Sequence, residues 1–177
     1  MSYAEELEYI VTNKQRLDFV CNLLRHLRGN TLCLFQLVEK HGKILYNELK
    51  EDENVYFVYG GTDTRAREKI RGLVETHSKS TTIASFGVFS TGVNIRNINN
   101  IVLASPSKSK IRVLQSIGRG LRTSSSKDSV LIYDIADDIS YKERRNYTLN
   151  HFTDRINIYN EEQFNYDISR VKLCIKQ

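Results

Sequence analysis

The chain has 177 residues, of which 40% are hydrophobic, so it is long enough for one domain with one sizeable core. No apolar run approaches a membrane span and no secretory leader is seen. The three scattered cysteines, without a Cys-x-x-Cys or Cys/His cluster, indicate reduced cytoplasmic thiols rather than a metal site. The formal net charge of +5 is compatible with a polyanionic partner but does not identify one.

The first 35 residues predict a polar lead-in, an amphipathic helix and a strand. Residues 1–12 are polar and are interpreted as a lead-in from an upstream domain. Thr12, followed three residues later by Gln15, has the pattern of a capping box, and apolar residues at three- and four-residue steps then predict an amphipathic helix ending near Gly29. The run 31–35 is short, apolar and bounded by turn residues, which predicts a strand buried on both faces.

The alternation of helix and strand then continues along the chain. Further strands are predicted at 55–59, 81–85, 101–104 and 130–134, with helix-like segments between them. Such alternation with short links predicts an α/β domain with a doubly wound, mainly parallel sheet flanked by helices. Ligands of these sheets bind at the carboxyl ends of the strands, which singles out the segments 36–42, 60–63, 86–95 and 105–110.

The pattern changes after the fifth strand. Residues 141–159 predict a long charged helix with Tyr147, Phe152, Ile156 and Tyr159 on its inner face. Alternating apolar residues over 164–175 predict a terminal strand. We therefore expect residues 13–135 to form the main domain and residues 136–177 to form a helix and strand extension packed on it.

Three loops at the carboxyl ends are candidate phosphate sites. In the first, Gly92 allows a tight turn with exposed N–H groups, and Ser90 and Thr91 supply hydroxyls. The second, 60–62, precedes a helix whose N-terminus attracts anions, and a weaker third lies at His41. Each such loop is by itself more often structural than functional.

A basic segment with the pattern Q-x-x-G-R-x-x-R follows the fourth strand. In a helix, Gln115, Arg119 and Arg122 share one face, and two guanidiniums one turn apart suit a phosphate group. Gly118 and Gly120 each cost a helix about 1 kcal/mol relative to alanine, so helix propensity does not explain them. The alternative is a solvated basic helix face.

Several kinds of catalytic chemistry have no motif in the sequence. There is no G-x-x-x-x-G-K-[ST] loop for a nucleoside triphosphate, no early acidic pair for Mg²⁺, and no histidine paired with a Ser or Cys nucleophile in a known motif. Asp137 and Asp138 are interpreted as a charge pair at a helix N-terminus rather than as metal ligands.

The combination of motifs resembles the superfamily 2 helicases across residues 13–134. Residues 115–122 resemble their motif VI, 90–95 motif V, and 31–36 motif IV, while 59–61 with Arg65 and Arg67 resemble the following helical block. Within this superfamily the chain is most similar to the recombination and repair helicases of bacteriophages. Two departures stand out, because Gln115 replaces the His common in D-E-A-D relatives and Asn94 stands where an acidic residue is common.

The resemblance implies a RecA-like second motor domain. ATP and Mg²⁺ would be held mainly by a missing first domain, and Arg119 and Arg122 would contact the γ-phosphate with support from Gln115. The resemblance places Gly92, Asn94 and Gly118 toward the nucleotide or the domain interface, and it places Ser90, Thr91, Gln36, His41, Gly60, Gly61 and Thr62 along the nucleic-acid track.

The leading expectation is thus half of an ATP-dependent DNA helicase or translocase. Its partners would be branched or junction DNA and its own upstream domain, in the cytoplasm of an infected bacterial host, and the 177 residues alone would be inactive. Two alternatives stay open: a non-catalytic RecA-like module for nucleic-acid binding or regulation, and the nucleotide-sugar half of a glycosyltransferase, which the Q-x-x-G-R-x-x-R pattern disfavours.

Overall fold

The protein folds around one five-stranded parallel sheet. The computed structural model describes residues 1–89, 97–106, 110, 114–115 and 129–173. The strands are β1 (Asn30–Phe35), β2 (Val55–Val58), β3 (Ser80–Ser85), β4 (Asn100–Leu103) and β5 (Leu131–Asp134), in the order β2-β3-β1-β4-β5. Each hydrogen-bonded pair is parallel, so the predicted doubly wound sheet is confirmed.

Helices occupy the segments between the strands. They are α1 (Tyr3–Thr12), α2 (Lys14–His26), a π-helical turn (Val38–Gly42), α3 (Lys43–Leu49), α4 (Thr64–Thr76), α5 (Phe86–Phe89) and α6 (Tyr147–Glu161). Lys110, Leu114 and Gln115 are also helical, and we call these three residues the Gln115 segment. None of the helices that the structure describes is both long and apolar enough to cross a bilayer.

The sheet is buried on both faces because successive side chains of a strand point to opposite sides. Leu32 and Leu34 of β1 pack on the face that α4, α5 and α6 cover. Cys33 and Phe35, the alternate residues, pack with α2 and α3 on the other face. All four side chains are at most 1% exposed, which explains why β1 is apolar at every position from Leu32 to its end.

The amino-terminal helices begin at residues other than the one predicted. Ser2 caps α1 in a capping box with Glu5, and Asn13 caps α2 by accepting the N–H of Arg16 at 2.9 Å. The predicted cap, Thr12, is the last residue of α1, so that prediction was wrong by one residue. A cap needs an extended backbone, which Asn13 has with φ −68° and ψ 122°.

The C-terminal extension differs from its prediction in two ways. Helix α6 begins only at Tyr147, which is 41% exposed rather than on the inner face. The buried residues of the helix are Thr148, Arg155, Ile158 and Tyr159, so of the predicted inner face only Tyr159 is confirmed as buried. The predicted terminal strand is absent from residues 164–173, which have no regular secondary structure. No described strand bonds to this segment, and its side chains at Ile168 and Val171 are each 59% exposed, so the alternation has no sheet to join.

Candidate functional site

Ser105 connects the carboxyl ends of the neighbouring strands β1 and β4. Ser105, which follows β4 and is fully buried, accepts the backbone N–H of Gln36 at 3.0 Å, just past the end of β1. Its Oγ also lies 2.8 Å from Nδ1 of His41. The side chain of Gln36 itself is exposed, so it is free to meet a ligand at this edge.

The structure corrects the role expected for His41. Its side chain is only 2% exposed, which prevents direct contact with nucleic acid. Burial, reinforced by the nearby charges of Arg16 and Lys110, lowers the pKa of His41 to about 3, so the imidazole is neutral at physiological pH. His41 therefore holds Ser105, and through it the Gln36 backbone, in place.

The turn between β2 and α4 is held by its own side chains. Arg67 donates from Nη2 to the carbonyl oxygens of Tyr59 (3.2 Å) and Gly60 (2.9 Å), and the Thr62 hydroxyl accepts the Tyr59 N–H at 3.0 Å. A Cβ on Gly61 would lie 2.6 Å from the Tyr59 ring, whereas one on Gly60 would meet nothing within 4 Å. Gly61 is thus required by packing, and Gly60 is the open position.

A carboxylate already occupies the N-terminus of α4. Asp63 caps the helix by accepting the N–H of Ala66 at 2.9 Å. A negative side chain at this end disfavours a second anion there. The reading of residues 60–62 as a phosphate site is therefore not supported by the geometry, and the exposed backbone of Gly60 and Gly61 is what remains for a nucleic-acid contact.

The Gln115 segment is anchored in the protein interior. Lys110 is fully buried, and its Nζ donates to Oδ1 of Asp134 at 2.9 Å and to the carbonyl oxygen of Ile135 at 2.7 Å. Leu114, one turn further, is also fully buried in the core. Gln115 is half-buried. The other predicted site residues, Ser90, Thr91, Gly92, Asn94, Gly118, Arg119 and Arg122, lie outside the described residues.

Asp134, at the end of β5, is shared by two cations. Arg155 donates to its Oδ2 at 2.5 Å, opposite Lys110, and the Tyr159 hydroxyl donates to the same oxygen. Burial alone would raise the pKa of Asp134, but Lys110 and Arg155 outweigh it and hold the pKa at about 2. Burial lowers the pKa of Lys110 to about 8, against the attraction of Asp134. The cluster thus carries one negative and two positive groups.

A second buried ion pair joins α2 to the segment after β5. Arg16 is 3% exposed, and its Nε and Nη2 contact Asp137 at 2.6 and 2.9 Å. The same Nη2 donates to the carbonyl of Ala104 at 2.7 Å. The interpretation of Asp137 and Asp138 as a helix N-terminal pair was wrong, because residues 135–140 are not helical.

Sequence reasoning missed both buried clusters. Arg16 and Asp137 are 121 residues apart, and Asp134 and Arg155 are 21 apart, so no local pattern joins them. A charged residue at a position of the apolar pattern, such as Arg155 on the inner face of α6, is the sequence feature that could have indicated a buried ion pair. Within the described ranges, no group of three or more His, Cys, Asp or Glu residues forms a metal site.

This parallel sheet, with its polar anchors at the carboxyl edge, has the architecture of a RecA-like motor domain. Residues 15–124 match the helicase conserved C-terminal domain, and the chain belongs to that family. The match falls within the 13–134 range of the predicted resemblance.

A particular relative that the chain resembles is UvsW. The chain is 36% identical over 186 residues to the ATP-dependent DNA helicase uvsW of Enterobacteria phage T4, across 97% of this chain and 37% of that protein. The crystal structure of T4 UvsW superposes with a TM-score of 0.83 over 98% of this chain and 38% of that one. The predicted similarity to a phage helicase is confirmed, and the chain spans little more than a third of that relative.

The chain also matches a further protein in sequence and a further domain in structure. The putative ATP-dependent helicase IRC3 of Saccharomyces cerevisiae is 32% identical over 102 residues, which are 57% of this chain and 15% of that protein. The C-terminal part of the Fun30 ATPase domain superposes with a TM-score of 0.54 at 16% identity, over 82% of this chain and 54% of that one. The Fun30 likeness concerns the fold alone.

Proposed function

We propose that this chain is the second motor domain of an ATP-dependent DNA helicase or translocase that acts on branched DNA in recombination and repair. In this proposal Arg119 and Arg122 are arginine fingers for ATP, which a first domain outside these 177 residues holds together with Mg²⁺. The observation that carries it is the buried anchoring of the Gln115 segment in a domain of the helicase C-terminal family.

The anchor bears directly on the proposed fingers. Lys110 and Leu114 are fully buried and Gln115 is half-buried, so the segment that precedes the two arginines in the sequence is anchored in the core. With helical spacing, Arg119 follows Gln115 by about one turn, and Arg122 follows Arg119 by about one more. In the proposed role, each guanidinium would stabilise the charge that spreads over the oxygens of a transferring phosphoryl group.

The remaining predicted residues receive roles from the same arrangement. Gly92, Asn94 and Gly118 would face the nucleotide or the interface with the first domain, where the two glycines, without side chains, permit close approach. The exposed Gln36 side chain and the exposed turn 60–61 would contact the DNA backbone, together with Thr62, Ser90 and Thr91.

We propose to divide the chain into a motor domain and two flanking segments that contact each other. Residues 13–135 would form the motor domain, residues 1–12 the connection from the first domain, and residues 136–177 an extension. Glu6 of α1 accepts the N–H groups of Tyr147 and Thr148 at 2.9 and 2.7 Å, so the connection and the extension contact each other.

The test is ATP turnover by the full-length protein carrying Arg122→Ala. An arginine finger contributes about 10³ to 10⁵ in rate, so we expect a loss of at least about 10³-fold with the DNA affinity retained. Arg28→Ala, an exposed arginine at the opposite edge of the sheet, is the matched control and should leave turnover unchanged.

Two outcomes would contradict the proposal. Near-normal turnover in Arg122→Ala would refute the arginine finger, and robust hydrolysis by the 177 residues alone would refute the division of labour between two domains. If Arg122→Ala has no effect while the isolated chain binds DNA in a salt-sensitive manner, the non-catalytic module is the correct class.

A further inference from the structure

A short basic turn stands out from the surface near the end of β5. Tyr141 and Arg144 exchange backbone hydrogen bonds of 3.2 and 3.1 Å, and we call residues 141–145 the basic turn. All five of its residues are exposed, Tyr141 to 74%. The turn carries three cations, Lys142, Arg144 and Arg145, against one anion. Among the described residues Arg145 has an acidic neighbour, Asp138, whose pKa it helps to lower.

The exposed turn stands on a rigid base. Asn146, which follows it, is 8% exposed, accepts the N–H of Ile139 at 3.1 Å, and donates to the Asp137 carbonyl at 3.0 Å and to Oε1 of Glu6 at 3.1 Å. Its position is therefore fixed from three sides. A rigid base lowers the entropy lost when the turn binds a partner.

The base also places the basic turn at the functional edge of the sheet. Asp137, to which Asn146 is bonded, pairs with Arg16, and Arg16 donates to the carbonyl of Ala104 just past the end of β4. These hydrogen bonds link the base of the turn to the carboxyl edge, where Gln36 and the β2–α4 turn also lie.

We propose that the basic turn is an additional contact for single-stranded DNA, in which Lys142, Arg144 and Arg145 bind backbone phosphates and Tyr141 stacks on a base. This inference rests on the proposed DNA-directed function and adds a surface that the helicase motifs do not contain. Guanidiniums match phosphate oxygens, and the Lys142 ammonium lies 5.4 Å from the centre of the Tyr141 ring, which brings charge and aromatic face together.

Single-stranded DNA fits this surface better than an acidic protein does. An acidic protein would be met by the cations alone, whereas the exposed ring beside them supplies a stacking platform that every base can use. Tyr147, which is 41% exposed at the start of α6, is a second exposed aromatic side chain two residues after the turn ends.

The experiment compares two double charge reversals in the full-length protein. R144E/R145E alters the basic turn, and R28E/K50E makes the same change in net charge at exposed positions on the amino edge of the sheet. The affinity for single-stranded and duplex oligonucleotides is measured by fluorescence anisotropy across a salt series, with basal ATP turnover and the melting temperature measured alongside.

We expect R144E/R145E to weaken single-strand binding at least about tenfold and to reduce the slope of log K against log salt by about 1.4, which is 0.7 for each lost phosphate contact on a single strand. R28E/K50E should change the affinity less than about threefold and leave the slope unchanged. Tyr141→Leu should weaken single-strand binding about fivefold or more and duplex binding much less, because only the single strand offers unstacked bases.

Equal effects of the two double reversals, or an equal loss of single-strand and duplex binding in Tyr141→Leu, would overturn the proposal. Unchanged DNA affinity in R144E/R145E would also overturn it and would leave an acidic protein as the partner of the turn. Failure here is distinct from failure of the proposed function, because Arg122→Ala tests ATP turnover without involving the turn. Basal turnover should be unchanged in the control R28E/K50E, and the melting temperature should be unchanged in all three variants.

Discussion

Replacing Asp134 by asparagine is the most direct test of the buried cluster that anchors the Gln115 segment. The substitution keeps the shape of the side chain but removes the carboxylate that Lys110 and Arg155 share. Removing one partner of a buried ion pair costs about 3–5 kcal/mol because an uncompensated charge remains. Here two cations remain, with side chains 0% and 2% exposed, so we expect a loss near the upper end of that range.

The matched substitution Lys110→Met should cost less. It leaves Asp134 paired with Arg155 and hydrogen-bonded to Tyr159, and the lost bonds are those to Asp134 and to the carbonyl of Ile135. Hydrogen bonds to charged groups contribute about 1.5–3 kcal/mol, so the free energy of unfolding should fall by roughly that amount.

The double variant D134N/K110M gives the decisive comparison. Once Asp134 is neutral, Lys110 is an unpaired buried cation, so its replacement by methionine should restore part of the lost stability. Urea unfolding at pH 7, followed by circular dichroism, measures all four free energies. A loss below about 1 kcal/mol in Asp134→Asn, or a double variant less stable than Asp134→Asn alone, would refute the reasoning.

The Asp134 carboxylate also makes the folding stability depend on pH in acid. Lys110 and Arg155, against the opposing effect of burial, hold the pKa of Asp134 at about 2, below its ordinary 3.8. The unfolded chain therefore takes up the proton first as the pH falls. The contribution of ionised Asp134 to the free energy of unfolding is present above pH 3.8 and is lost as the pH falls toward 2. From the pKa difference, this contribution is roughly 2 kcal/mol. Asp134→Asn should lack this step in a pH series of urea midpoints.

Three further predictions concern His41, the turn between β2 and α4, and the two buried cysteines. Burial holds the pKa of His41 at about 3, below its ordinary 6.5, so the stability that depends on neutral His41 is present above pH 6.5 and is lost as the pH falls toward 3. Between pH 6.5 and 5, urea unfolding should show that the wild type loses roughly 2 kcal/mol more of its free energy of unfolding than His41→Asn does. Gly61→Ala should destabilise by about 1 kcal/mol and Gly60→Ala by a few tenths at most, because only the first meets a neighbouring ring; equal melting temperatures would contradict this. Cys21 and Cys33, with pKa raised by burial to about 11 and 12, should resist alkylation until the protein unfolds, as mass spectrometry in a Cys174→Ser background would show.

The strands and their parallel arrangement followed from local patterns. Apolar runs with turn residues at both ends placed all five strands to within one residue at each end. Burial on both faces makes such runs apolar throughout, so the local sequence carries the signal. The Q-x-x-G-R-x-x-R pattern pointed to the family in the same way, because it is a fixed spacing within eight neighbouring residues, and it lies inside the range 15–124 that matches the family.

Element ends and exposed alternation were less reliable guides. Asn13 rather than Thr12 caps α2, because both residue types accept the bond and the backbone angles decide between them. The apolar alternation over 164–175 predicted a strand, but alternation alone does not supply a neighbouring strand to bond. The start of α6 was also misplaced, because residues 141–146 are charged in a way that suits a helix or a turn equally.

By itself, the sequence determined the α/β class, the strands and the helicase motifs, because these depend on residue spacing within one element. Only the tertiary structure decided that His41 is buried beneath the edge of the sheet and that Asp134 joins Lys110 to Arg155. Those outcomes depend on which strand ends lie side by side in the order β2-β3-β1-β4-β5. A charge in the sequence is equally suited to water or to a buried partner, and the partner exists only once the topology has brought distant segments together.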